Sequence, residues 1–224
     1  MILLFATIGA WNNTSLVAYA LSVAVVSLLT CLVIQTGEYY SPGLLAKIEK
    51  PVSLFLFFWW VMGTGIMTFA GPFLTVSNGY FSAWLGLIAV THWAIEIDTE
   101  KIKTLDTGHK TLMAFGAASA VVMFACIPEF TSYPGQASWG FVVGLLSVCG
   151  SAMLFRGGML DEVNAQQLKV ASIIMFSIWS TVAGILTFNH PFEQAGNGYF
   201  GCWGGFLCAT YFMNYVLTRE DDIV

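Results

Sequence analysis

A segment of this chain returns 119 positions after its first appearance. Residues 60–86, WVMGTGIMTFAGPFLTVSNGYFSAWLG, align without a gap on residues 179–205, WSTVAGILTFNHPFEQAGNGYFGCWGG, and 13 of the 27 positions are identical. The shared positions include Trp60/Trp179, Gly65/Gly184, Pro72/Pro191, Phe73/Phe192, the NGYF quartets beginning at Asn78 and Asn197, Trp84/Trp203 and Gly86/Gly205. A duplication of this length constrains the fold more than any single motif, since each copy must build one supersecondary unit. Ala46/Ala165 and Lys50/Lys169 keep the same offset, so the duplication reaches upstream of the segment.

Both copies are apolar. Only 9% of the residues are charged and 57% are hydrophobic, against roughly 25% charged in soluble domains. Apolar runs of about 20 residues are long enough to cross a hydrocarbon core. Seven such spans are expected, at 14–35, 52–71, 79–97, 111–128, 137–155, 168–188 and 198–217. The fold class that follows is an all-α polytopic membrane protein of two parallel repeats with three and a half and four helices. Residues 1–105 form the first repeat, 106–218 the second, and 219–224 a tail. Residues 1–13 are too short to span and align with 120–132, the outer half of span four. They are expected either to be the remnant of a lost span or to dock as a half-helix or re-entrant piece.

Orientation follows from the basic residues, which collect in short cytoplasmic loops. Lys47 and Lys50, then Lys101, Lys103 and Lys110, then Arg156 and Lys169, and finally Arg219 all fall in alternate connections. Residues 1–13, 72–78, 129–136 and 189–197 hold no Lys or Arg. The amino terminus is therefore expected outside and the carboxyl terminus in the cytoplasm. The net charge of −5 argues against a nucleic-acid-binding face. The five cysteines, Cys31, Cys126, Cys149, Cys202 and Cys208, all lie in spans. They read as small packing residues, with Cys31 and Cys149 near enough to the cytoplasmic ends for palmitoylation as the second reading.

The NGYF motif carries two readings. In the structural one, Asn78 and Asn197 cap the next helix, while Tyr80, Phe81 and Trp84, with Tyr199, Phe200 and Trp203, form an aromatic belt at the outer interface. In the functional one, the same residues form a paired, pseudo-symmetric site. His92 and Glu96, four apart in span three, are either an interfacial pair or a proton-linked site, since ionisable residues inside spans are functional candidates by default. Asn12 and Asn13 begin overlapping glycosylation sequons on the expected outer side. Pro51 reads as the first turn of span two, after a Ser41-Pro42-Gly43 turn and an amphipathic GLLAKIEK piece lying along the inner interface.

Several chemistries lack their residues. Span seven has no lysine for a retinal Schiff base, and a single histidine within the spans cannot make a bis-histidine haem site. No CxxC, HExxH, GxSxG or P-loop pattern occurs. No cofactor, metal or catalytic residue is expected. Small residues are abundant instead, at Gly63-Thr64-Gly65, at Gly116–Ala120 and at Gly201 with Gly204-Gly205, and these let helices approach closely in lipid.

The parallel repeat joined through span four is similar in architecture to SWEET-type sugar transporters, without matching proline or asparagine motifs. Read instead as a duplicated four-helix unit, the segments LFLFFWWVMGTGIMTF and NGYFSAWLGLIAVTHWA resemble the last two helices of MARVEL-type tetraspan proteins. That resemblance implies a role in membrane apposition, traffic or domain organisation. The leading expectation is a non-enzymatic protein that organises membrane through lateral packing, its partners the lipid bilayer, further copies of itself or other membrane proteins. The alternative is a facilitative transporter or channel for a small neutral solute, with its site between the repeats.

Overall fold

The structure is a computed structural model and describes residues 1–98, 105–156, 160 and 163–219. Lys101, Lys103 and the tail beyond Arg219 lie outside the described residues. Among the described residues eight α-helices follow one another and there is no strand. They are α1 (Ile2–Gly9), α2 (Ser15–Tyr40), α3 (Pro42–Gly65), α4 (Asn78–Asp98), α5 (Thr107–Cys126), α6 (Pro134–Arg156), α7 (Ala165–Phe188) and α8 (Asn197–Arg219). A π-helical turn, Ile66–Ala70, extends α3, and a 3₁₀ turn, Ile127–Phe130, extends α5. Six of these helices, α2 to α7 with their extensions, are long and apolar enough to cross a membrane. They mark a multi-pass integral membrane protein. Helix α8 has the length, 23 residues, but its four glycines, three tyrosines and two asparagines lower its hydropathy, and it is not among the six.

The chain divides into two compact units between Thr104 and Leu105. In unit one, α3 packs on α4 and α2, and the short α1 lies on α2 and α4. Its core joins Leu3, Val23, Trp60, Met67, Phe73 and Tyr80. In unit two, α5 packs on α6 and α8, and α7 lies on α8 and α6. Residues 1–13 thus supply a docked half-helix. Leu3 and Thr7 of α1 are buried, and so are Val122 and Cys126 at the same offset in α5.

Within the helices, hydroxyls bond back to carbonyls three or four residues earlier, as Ser27 does to Val23 at 2.7 Å, Thr91 to Leu87 at 2.7 Å and Ser119 to Phe115 at 2.7 Å. This is how polar side chains are tolerated where no water can reach them. Side-chain bonds also tie separate helices. Thr64 donates to the Ala83 carbonyl at 2.9 Å, the Trp179 indole donates to Ser147 Oγ at 3.0 Å, and the Tyr215 hydroxyl donates to Asp106.

Two boundaries differ from expectation. Pro51 does not begin a helix; it sits inside α3, which starts at Pro42, so the GLLAKIEK piece is continuous with the span. Pro42 occupies the first turn and Ser41 alone separates α2 from α3, which gives Pro42 the role expected of Pro51, where a missing N–H costs nothing. Helices α4 to α8 begin one to four residues earlier than their apolar runs, because polar residues such as Thr107 and Gln166 complete the first turns, while α2 begins one residue later than its run.

Candidate functional site

The NGYF corner is built alike in each unit. After the span-ending helix the chain turns through Gly71-Pro72 or His190-Pro191, both cis peptide bonds. The turn closes with the Phe73 N–H on the Met67 carbonyl at 2.9 Å and the Phe192 N–H on the Leu186 carbonyl at 2.8 Å. This places Phe73 and Phe192 against the first turn of the following helix. An ideal Cβ on Gly79 would lie 2.3 Å from the Phe73 ring, and one on Gly198 the same distance from the Phe192 ring. The glycine of the motif is therefore the seat of a buried phenylalanine.

The asparagines do not cap. The helix-starting carbonyl bond to Phe81 comes from Ser77 at 3.0 Å, and the Ser77 hydroxyl accepts the Tyr80 N–H at 3.2 Å. In unit two the same backbone bond runs from Phe200 to Gly196 at 3.0 Å. Ser77 and Gly196 thus hold the cap position, because the cap residue is the one whose carbonyl accepts the first helical bond. Asn78 and Asn197 are one residue inside, the first exposed and the second buried.

The aromatic residues split between core and surface. Tyr80 is buried and its hydroxyl is hydrogen-bonded by the Trp84 side chain. Tyr199 and Trp203 are half-buried with ring centroids 6.4 Å apart. Phe81 and Phe200 remain 47% and 43% exposed, each edge-on to its neighbouring tyrosine at 5.7 Å. Each quartet is thus brought together within its own unit and is largely used by packing.

His92 and Glu96 stand 3.6 Å apart with side chains 73% and 56% exposed. That distance is too long for a hydrogen bond. His92→Gln is expected to change stability by less than about 0.5 kcal/mol, read by denaturant titration in detergent. Asn12 and Asn13 are exposed, and Asn12 Oδ1 accepts the Thr14 hydroxyl at 2.6 Å and its N–H at 3.1 Å.

One cluster was not singled out from the sequence. Asp106 caps α5, taking the His109 N–H at 2.9 Å, His109 Nδ1 at 2.5 Å and the Tyr215 hydroxyl from α8. A short local signal existed, an Asp three residues before a His at a helix start, but nothing in the sequence pairs position 106 with 215. Burial pushes the Asp106 carboxyl up, yet the Tyr215 and His109 hydrogen bonds outweigh it and hold the group at about 2, below its ordinary 3.8. The side chain is 38% exposed, so water screens the effect to about 1 kcal/mol. Because the folded value is the lower one, this stability is fully present above about pH 4 and is lost as pH falls towards 2. Asp106→Asn is expected to remove that acid-limb slope in unfolding measured across this range; an unchanged slope would contradict the assignment.

No family model, curated protein or solved structure matches this chain. Among the described residues no group of three or more His, Cys, Asp or Glu side chains is placed to hold a metal ion.

Proposed function

We propose that this chain is a non-enzymatic multispanning protein that organises membrane by lateral association, a MARVEL-like scaffold of two parallel helical units. In this reading α8 is the seventh span. It is about 35 Å long at 1.5 Å per residue, packs on α5 and α7, and stands at the repeat position of α4, which is apolar enough to cross. The amino terminus lies outside and the carboxyl terminus in the cytoplasm, from the distribution of Lys and Arg.

One observation carries the proposal. Shared residues such as Trp60/Trp179 and Phe73/Phe192 are spent on internal packing, while other aromatic side chains near the same ends of the units stay outward: Trp11 and the shared Phe81 in unit one, Phe188 and the shared Phe200 in unit two, at 50%, 47%, 75% and 43% exposure. Exposed aromatic groups of this kind suit contact with neighbouring proteins or the headgroup boundary. The assembly state of the purified chain in a mild detergent tests the reading. A regular oligomer is expected, weakened by Phe81→Ala with Phe200→Ala. Strictly monomeric protein that carries a neutral solute into vesicles would overturn it in favour of facilitated transport.

A further inference from the structure

We draw no further inference here: the strongest candidate, the exposed stripe of α4 that carries Phe81, Leu85, Ile88, His92 and Glu96, is an unpartnered helix face and nothing in the structure shows what covers it.

Discussion

Truncation of Trp179 to alanine is expected to lower the stability of unit two by about 3 kcal/mol, and the same change at Trp60 to cost unit one distinctly less. Trp179 is wholly buried, donates its indole N–H to Ser147 at 3.0 Å and meets the edge of Phe115 at 5.3 Å. In lipid the transfer term of the usual large-to-small penalty falls away, because the separated helices also rest in hydrocarbon. What remains is the void and the lost hydrogen bond. Trp60 is less completely enclosed, 7% exposed against 0% for Trp179, so less new void is created. Unfolding of the two variants in mixed micelles, followed by circular dichroism, gives the comparison. Equal losses would contradict the view that the amino-terminal half of α5 is what encloses Trp179.

The second large effect concerns Gly205. An ideal Cβ there lies 2.0 Å from the Trp179 ring, and one on Gly86 lies 2.3 Å from the Trp60 ring. A large buried ring cannot withdraw, so Gly205→Ala is expected to destabilise by about 1–3 kcal/mol. Gly184 is the control, for its ideal Cβ meets nothing within 4 Å. Gly184→Ala is expected to be neutral or stabilising by up to about 1 kcal/mol, through helix propensity alone. Pairing Gly205→Ala with Trp179→Phe should cost less than the sum of the single changes, because the smaller ring vacates the contested space. Strict additivity would show that the glycine is retained for some other reason.

The same pairs explain what could be read in advance. Helical spans and the duplication were legible because hydrophobicity over about 20 residues and identity at a fixed offset are properties of sequence alone. The glycine–ring contacts were half-legible: Gly79 with Phe73 and Gly86 with Trp60 recur as Gly198 with Phe192 and Gly205 with Trp179, but only coordinates say which ring seats on which glycine. The capping role passed to Ser77 and Gly196 because a cap is fixed by where the preceding turn delivers the chain, and that turn is closed by the bonds from Phe73 and Phe192. Pro51 was misplaced for a related reason, since Pro42 already meets the first-turn preference. The Asp106–Tyr215 bond joins positions 109 apart and leaves no periodic trace.

All functional inferences from paired positions depend on two units facing the same way across the bilayer. Single cysteines at Ser77 and Ala195, both exposed, in a background without the native thiols, test this with a membrane-impermeant maleimide on intact cells or sealed vesicles. Both positions are expected to label from the same, outer side, while Lys47→Cys and Lys169→Cys label only after the membrane is opened. Labelling of Ser77→Cys and Ala195→Cys from opposite sides would contradict the parallel duplication.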